Sequence, residues 1–241
     1  MGTLQLYMKG WEFAKTPYGT EIENIQDGQY SFEPVELPHD WLIGDSRNLY
    51  EDSCGWYRNK LVMAEPVPER VILRFDGVYM DSTLYVNGQG VGDWKYGYST
   101  FEMDISDFLH TGENILLLQV RFRSPNSRWY SGAGIYRRVW LQICGKALLP
   151  VDGCRVETAA CPGGFWLDIS TEVECADPSV DEELECRYFL CVDPCRGDKP
   201  PERRTGRARV GEEDSFLFDC TRAPRGSMSA SYTYKFDGFV Y

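Results

Sequence analysis

One stretch of this sequence gathers residue types that recognise ligands through flat surfaces and charged forks. Between Asn126 and Arg137, aromatic, guanidinium and amide side chains stand beside three small residues. Trp129 and Tyr130 offer flat faces, Arg128 offers a forked donor, and the small residues let the backbone approach another surface. Sugars, carboxylates and partner domains all accept such groups. The alternative is a tight turn between two strands that carries ordinary surface aromatics.

The residues that could act as acids, bases or nucleophiles do not form a catalytic set. His39 precedes Asp40, but no serine or cysteine nucleophile motif accompanies the pair, which favours a structural role for the histidine. The adjacent carboxylates at 51–52 and 212–214 fall in regions predicted as loops, where solvated turns explain them. Cys54 is expected to be a small core or surface residue. The sequence therefore predicts no catalytic residue in this chain.

The cysteines and histidines do not predict a metal site either. Nine cysteines are present, an odd number, and the only histidines are His39 and His110. Cys186, Cys191 and Cys195 are separated by five and four positions, whereas zinc sites use paired short spacings. We therefore expect reduced thiols, no metal and no cofactor.

Charge and hydropathy argue against two classes of partner. The 241 residues carry a formal net charge of -12, whereas binding to nucleic acid requires a basic patch that neutralises phosphates. The opening Met1–Lys9 has neither a basic start nor a continuous apolar run, so it resembles neither a secretory signal nor a membrane span. We therefore expect a cytoplasmic protein with no nucleic-acid partner and no membrane partner.

The elements that must position these residues are predicted to be strands. Turn signals recur about every eight to twelve residues, and the segments between them alternate apolar and polar positions. The predicted strands are Arg70–Phe75, Thr83–Val86 before an Asn87-Gly88 hairpin turn, the apolar and hence central Ile115–Val120, and the closing Tyr136–Ile143. Asp104–Leu109 predicts one short helical turn. The pattern is typical of an all-β sandwich.

The alternating pattern breaks at Cys144–Lys146, which places a domain boundary there. Beyond it, strands are predicted over Phe165–Val173, Leu184–Val192 and Phe216–Phe218, separated by turns at Asp177-Pro178 and over Arg196–Gly206. The predicted domains are therefore 1–144 and 145–241. The second is expected to be a small immunoglobulin-like β-sandwich.

Two features of the second domain are unusual. The first is a basic run, interpreted as a solvated loop rather than a binding patch, made of Arg203, Arg204, Arg207 and Arg209. The second is the tail from Arg225 to Tyr241, which leaves the second sandwich one strand short in this interpretation. An incomplete sandwich exposes a pairing edge, so a homo-oligomer is one expected consequence.

Four motifs, taken in order, resemble a known family. They are Leu37-Pro38-His39-Asp40-Trp41, Gly55-Trp56-Tyr57-Arg58, Leu73-Arg74-Phe75-Asp76-Gly77-Val78 running into Val86-Asn87-Gly88, and Arg128-Trp129-Tyr130-Ser131-Gly132-Ala133-Gly134-Ile135-Tyr136-Arg137. The sequence is similar to the N-terminal sugar-binding domain of family 2 glycoside hydrolases, the β-galactosidase and β-glucuronidase group. The resemblance implies a galactose-binding-like jelly roll over 1–144 and, by position, an immunoglobulin-like domain over 145–241.

The resemblance also implies which part of the enzyme this chain supplies. Hydrolysis in that family is performed by two glutamates on a (β/α)₈ barrel, which is absent from this sequence. The expected function is therefore a non-catalytic portion that supports substrate binding and domain assembly, inactive alone, with a terminal β-galactoside or related sugar and the catalytic barrel as partners. A stand-alone carbohydrate-binding module and a purely structural assembly module are the alternatives.

By motif position, the resemblance implies five residues that reach the sugar: Asp52, Asn126, Arg128, Trp129 and Tyr130. Asp52 would accept hydrogen bonds from hydroxyls, Arg128 would donate or hold a carboxylate, and Trp129 would stack on a pyranose face. This sequence departs from the family at Asp52, where an amide is common. The alternative for Arg128 and Trp129 is packing between domains.

Overall fold

The protein is described by a computed structural model that covers residues 3–44, 47–124, 132–145, 147–148, 150, 153–161, 164–171, 174–175, 185–192, 202–209 and 214–219. Its contacts divide the chain into two compact units, Thr3–Cys144 and a second unit that contains the strands beyond Gly145. Almost all of the regular structure is antiparallel strand, so the prediction of an all-β protein is confirmed.

The first unit is a sandwich of two antiparallel sheets. Its strands are β1 (Thr3–Leu6), β2 (Glu12–Pro17), β3 (Glu33–Pro34), β4 (Ser53–Met63), β5 (Arg70–Phe75), β6 (Ser82–Val86), β7 (Gln89–Trp94), β8 (Phe101–Asp104), β9 (Gly112–Phe122) and β10 (Val139–Cys144). The four-stranded sheet has the order β1-β10-β5-β8, and the six-stranded sheet has the order β3-β2-β4-β9-β6-β7. Helix α1 (Ile22–Gln26) follows β2, and a 3-10 turn spans Ser106–Phe108.

The core lies between the two sheets because inward-facing positions on facing strands are apolar. Leu73 on β5 and Leu118 on β9 are fully buried there. Truncating such a leucine to alanine is expected to cost about 3 kcal/mol, from lost transfer free energy and the cavity left behind. Strand β9 is also buried on its other face, where Leu117 packs with Trp56 and with Ile25 of α1. The apolar run Ile115–Val120, predicted to be a central strand, therefore lies in the central strand β9.

Two local predictions are also confirmed. Asn87 and Gly88 join β6 to β7 with φ angles of 51° and 80°, the positive values that a two-residue hairpin turn requires. The helical turn predicted within Asp104–Leu109 is the 3-10 turn. The closing strand, however, begins at Val139 rather than at Tyr136, because the Tyr136 hydroxyl donates to the carbonyl of Gly97 and the chain has not yet joined the sheet.

The second unit contains only short antiparallel sheets in its described residues. Its strands are β11 (Ala147–Leu148), β12 (Cys154–Cys161), β13 (Gly164–Thr171), β14 (Glu174–Cys175), β15 (Glu185–Val192), β16 (Glu202–Arg209) and β17 (Asp214–Asp219). They pair as β11-β14, β12-β13-β17 and β15-β16. The strands predicted around Phe165, Leu190 and Phe216 coincide with β13, β15 and β17.

The interpretation of the arginine run as a loop is wrong. Arg203, Arg204, Arg207 and Arg209 belong to β16, so the turn predicted over Arg196–Gly206 does not extend to Gly206. Backbone pairing with the apolar strand β15 explains the difference, since pairing overrides the weak strand propensity of charged residues, which are common on edge strands. No helix in the described parts of the chain is long and apolar enough to span a membrane.

Candidate functional site

Four of the five predicted site residues fall in segment 125–131, which lies outside the described residues. Asn126, Arg128, Trp129 and Tyr130 therefore stay predictions. The residues on both sides of the segment are described: Ser124 precedes it and Gly132 follows it. Their surroundings show how the protein fixes the two ends of this segment.

The first end is held by Asp52, the fifth predicted site residue. Strand β4 begins directly after Asp52, and its Ser53 pairs with Phe122 at the end of β9. This register places Asp52 beside the chain that leaves β9, where its Oδ1 accepts a hydrogen bond of 2.6 Å from the backbone N–H of Ser124. Asp52 is exposed, and a carboxylate has several further lone pairs that can accept hydrogen bonds. The structure therefore brings Asp52 next to the segment that carries the other four residues.

The second end is held by Asp40, whose role the sequence analysis missed. Its Oδ1 accepts hydrogen bonds of 3.0 Å from the backbone N–H groups of Leu42 and Ala133. Gly132 has a φ of 75°, and a Cβ there would stand 2.9 Å from Asp40 Oδ2. Only glycine fits this approach without displacement. The available signal was an aspartate two residues before the N–H that it bonds, the pattern of an Asx turn.

Gly134 brings the chain into direct contact with the sandwich. Its φ is 128°, and a Cβ would lie 2.3 Å from Tyr57 Oη and 2.6 Å from the carbonyl oxygen of His39. Its backbone exchanges two hydrogen bonds with Tyr79, of 2.8 and 3.0 Å. The lack of room for a Cβ and the left-handed φ together explain why the Gly-Ala-Gly sequence follows the aromatic part of this motif.

A buried tyrosine and histidine support the same turn. The Tyr57 hydroxyl lies 2.8 Å from His39 Nδ1, and it also hydrogen-bonds the backbone of Ile135. Burial raises the pKa of Tyr57 well above its ordinary value, so the hydroxyl keeps its proton and is able to donate a hydrogen bond to an unprotonated Nδ1. Burial also lowers the pKa of His39, against the opposing charge of Asp40, which favours the neutral ring that can accept this bond. His39 has the structural role expected for it.

An apolar, largely aromatic cluster packs around Tyr79 and Ala133. Buried Leu42, Tyr79, Phe122 and Ala133 pack together, and Tyr98 and Tyr136 are among the partly buried residues against them. Trp41 packs against this cluster. It donates from Nε1 to Ser53 Oγ at 3.0 Å, and its ring occupies the place where a side chain on Gly55 would stand.

Parts of all four sequence motifs therefore meet at one end of the sandwich, whereas the Asn87-Gly88 turn of the third motif lies at the other end. His39 of the first motif contacts Tyr57 of the second, and Gly77 of the third leaves room for Tyr136 and Arg137 of the fourth. Residues that are far apart in sequence thus hold the described residues on both sides of segment 125–131. Asp52 is the predicted site residue among them that the structure describes.

The comparisons with known proteins concern the family and the fold of this sandwich. The sequence model of the family described as "Glycosyl hydrolases family 2, sugar binding domain" matches residues 25–144. A β-galactosidase of Bacteroides ovatus is 38% identical over 139 residues, which are 52% of this chain and 16% of that protein. A putative β-glucuronidase of Formosa agariphila is 34% identical over 131 residues, or 49% of this chain and 12% of that protein. The chain thus spans less than a fifth of the length of these relatives.

Solved structures show the same fold. A putative β-galactosidase from Bacteroides fragilis has a TM-score of 0.68 at 21% identity, and the match covers 90% of this chain and 35% of that one. A β-glucuronidase of Bacteroides uniformis has a TM-score of 0.66 at 24% identity, over 92% of this chain and 28% of the other. The chain therefore carries the sugar-binding domain of the family 2 glycosyl hydrolases and belongs, through that domain, to this family.

Proposed function

We propose that this chain is the non-catalytic sugar-contacting portion of a glycoside hydrolase that acts on terminal β-linked sugars and is β-galactosidase-like. The observation that carries the proposal is that Asp52 and Asp40 fix the two ends of segment 125–131 at the end of the jelly roll. The β-galactosidase and putative β-glucuronidase relatives support the substrate class.

Each proposed site residue has a chemical role. The exposed Asp52 accepts hydrogen bonds from sugar hydroxyls with the lone pairs that Ser124 leaves available. Asn126 and Tyr130 supply further polar contacts, Arg128 donates to hydroxyls or to a carboxylate, and Trp129 stacks on the apolar face of a pyranose. Ala133, which lies two residues after segment 125–131, packs in an apolar cluster with Leu42, Tyr79 and Phe122.

Hydrolysis itself is proposed to occur elsewhere in the enzyme. Retaining hydrolysis needs a carboxylic acid and a carboxylate about 5 Å apart in one cleft, which we assign to a catalytic barrel that is a partner of this portion. The second unit is proposed to be an immunoglobulin-like sandwich that connects the two. A cytoplasmic location and a homo-oligomeric assembly, both expected from the sequence, stay predictions.

Calorimetric titration of the chain with methyl β-galactoside and methyl β-glucuronide tests the proposal. We expect weak binding of at least one glycoside that Trp129→Ala abolishes and that Val62→Ala, an exposed apolar truncation at the opposite end of β4, leaves unchanged. An aryl β-galactoside assay should show no turnover. Turnover by the chain would overturn the non-catalytic role, and the absence of binding to either glycoside would overturn the sugar contact and favour an assembly module.

A further inference from the structure

We propose that the free edge of strand β1 pairs with the same edge of a second copy of this chain, with Leu4 of each copy opposite Leu6 of the other. The two four-stranded sheets would then form one continuous eight-stranded sheet. This edge is distinct from the pairing edge expected for the second unit, and it contains no residue of the proposed sugar contact. The proposal is carried by the lack of protection at this edge, the direction of its backbone groups and its uncharged surroundings.

Three of the four sheet edges in the first unit carry features that oppose pairing with another strand. Strand β3 has only two residues, and one of them is Pro34. Strand β7 contains a bulge where its register with β6 shifts. Strand β8 carries the carboxylates of Glu102 and Asp104. Short length, proline, bulges and charge are the means by which native proteins keep edge strands from associating.

Strand β1 has none of these features. It contains no charged residue, proline or glycine, and its register with β10 runs without a shift from Thr3 opposite Ile143 to Leu6 opposite Trp140. Among the described strands, β10 is the only one that pairs with it. Strand β1 therefore presents a regular, uncharged edge, which is the kind that accepts another strand.

The backbone groups of Leu4 and Leu6 are directed at this free edge. In an antiparallel strand, successive residues direct their N–H and C=O groups alternately to the two sides. The N–H of Tyr7 donates to the carbonyl of Val139, the first residue of β10, at 2.8 Å. Gln5, two residues before Tyr7, therefore faces β10 as well, and Leu4 and Leu6 face away from it.

The side chains at this edge are apolar and exposed on one face of the sheet. Leu4 and Leu6 are 55% and 56% exposed, and residues two apart on a strand lie on the same face. The residue between them, Gln5, is opposite Leu141, which lies in the core. The two leucines are therefore on the outer face, where a partner would remove their apolar surface from water.

One register of two antiparallel copies suits both the backbone and the side chains. If Gln5 lies on the two-fold axis, Leu4 of each copy is opposite Leu6 of the other. Opposite residues share a face, so the four leucines form one cluster. Because these residues direct their backbone groups at the edge, each Leu4–Leu6 pair also exchanges two backbone hydrogen bonds. A register with Leu4 opposite Leu4 would bring together only one leucine from each copy.

The distribution of charge favours a second copy at this edge. The chain has a net charge of -12, so two copies repel each other at most surfaces. Strand β1 and the adjacent Val139–Cys144 of β10 carry no charge. On the next strand, β5, Arg70 pairs with Asp104 and Arg74 pairs with Asp76. Two copies can therefore approach here with the charges of these three strands absent or paired.

Sedimentation equilibrium of the full chain tests the proposal. A contact between four-residue strands is smaller than the standard interface of about 800 Å² per partner, so we expect weak association, with the average mass rising toward two chains between about 5 and about 500 μM. Leu4→Lys should weaken association about tenfold or more, because it removes an apolar contact from each half of the interface. Val62→Lys adds the same charge at an exposed apolar position of β4 and should associate like wild type.

Two double variants test the register. Leu4→Lys with Leu6→Lys places lysine opposite lysine in both pairs and should leave the chain monomeric. Leu4→Lys with Leu6→Glu places lysine opposite glutamate in both pairs, so it should associate at least about tenfold more tightly than the double lysine variant. Both leucines are exposed, so these variants should fold, and thermal unfolding of the monomers checks this.

The remaining outcomes would overturn the proposal. A wild-type chain that stays monomeric over this concentration range has no such interface. If Leu4→Lys and Val62→Lys weaken association equally, or not at all, the copies meet elsewhere, for example at the edge expected for the second unit. If the two double variants associate equally, Leu4 is not opposite Leu6. None of these results changes glycoside binding, so the proposed function is tested separately.

Discussion

The two ends of the six-stranded sheet are closed by different chemistry. At the end opposite the site, neutral amides close the turns: Asn114 and Asn87 bond to the backbone and to each other. At the site end, carboxylates do so: Asp52 accepts from the backbone N–H of Ser124, and Asp40 accepts from the backbone N–H of Ala133. The two arrangements perform the same structural task, but they leave different capacities for further hydrogen bonds.

The amide end uses its hydrogen-bonding groups internally. Asn114 is fully buried; its Nδ2 donates to the carbonyls of His110, Gly112 and Leu61 at 2.8, 3.1 and 3.4 Å, and its Oδ1 accepts from Asn87 Nδ2 at 2.8 Å and from His110 N–H at 3.0 Å. Asn87 Oδ1 accepts in turn from Ile115 N–H at 2.9 Å. Such a satisfied network stabilises a closed turn and has nothing left for a ligand.

The carboxylate end keeps capacity for other partners. Asp52 is exposed. An exposed carboxylate gives little to stability, since surface hydrogen bonds are in exchange with water. The comparison teaches that the same sandwich can fix a turn for stability with amides and for recognition with carboxylates. Mutations at corresponding positions of the two ends should therefore have opposite consequences.

The largest difference is expected between two glycines with positive φ. Gly134→Ala at the site end should cost about 4 kcal/mol in unfolding free energy, because the new Cβ meets Tyr57 Oη and the His39 carbonyl in addition to the strained φ. Gly112→Ala at the amide end has the same kind of φ but nothing within 4 Å, so about 1 kcal/mol is expected. Urea unfolding of both variants measures the difference. Equal losses would show that backbone strain alone determines the cost.

The amide network should contribute to the free energy of unfolding and not to sugar affinity. Asn114→Ala removes a buried side chain that accepts from Asn87 Nδ2 and the His110 N–H and donates to the carbonyls of Leu61, His110 and Gly112, and we expect a loss of about 3 kcal/mol in unfolding free energy. Gln89→Ala removes an exposed amide near the same end and is the matched control, with an expected change below about 0.5 kcal/mol. Under native conditions both variants should keep wild-type glycoside affinity. A loss of affinity in Asn114→Ala would mean that the two ends are coupled.

Much of the fold was predictable from local sequence. The alternating strand Arg70–Phe75, the apolar central strand and the Asn87-Gly88 turn each depend on side chains within one element, so their patterns predict them directly. Strand β16 was not predictable in this way. Its arginine-rich sequence has no apolar face of its own, and it is a strand because β15 pairs with it over Glu202–Arg209.

The site was predictable only in part, for a similar reason. Asp52 could be named from its place before the Gly55–Arg58 motif, whereas the function of Asp40 depends on Ala133, which is 93 positions away. The Tyr57–His39 contact likewise joins two motifs that no periodicity relates. The motifs therefore predicted which segments matter, and the packing of the sandwich determines which side chains hold them.

His39 allows the site end to be tested with pH. Burial lowers the pKa of His39 below its ordinary value of 6.5, so below about pH 6.5 the unfolded chain binds a proton that the folded chain does not. The contribution of His39 should therefore be fully present above pH 6.5 and should be lost as pH falls toward the lower folded value. His39→Asn, which keeps an acceptor for Tyr57, should flatten this dependence in thermal unfolding. Gln89→Ala, an exposed substitution at the amide end, is the control, and an equal flattening there would contradict the assignment.

The smallest effect on stability is expected at Asp52, although sugar recognition should still be weakened there. Asp52→Ala loses one exposed hydrogen bond to Ser124, so the free energy of unfolding should change by less than about 0.5 kcal/mol. Because the same carboxylate is proposed to accept from sugar hydroxyls, glycoside affinity should fall about tenfold, which corresponds to about 1.4 kcal/mol. Asp52→Asn keeps the acceptor for Ser124 and removes the charge. An affinity of Asp52→Asn between those of wild type and Asp52→Ala would assign part of the effect to the position of segment 125–131 and part to the charge itself. If all three proteins bind the glycoside equally, Asp52 only holds the backbone of Ser124. The carboxylates and the amides at the two ends of the sheet would then differ in chemistry without a difference in sugar binding.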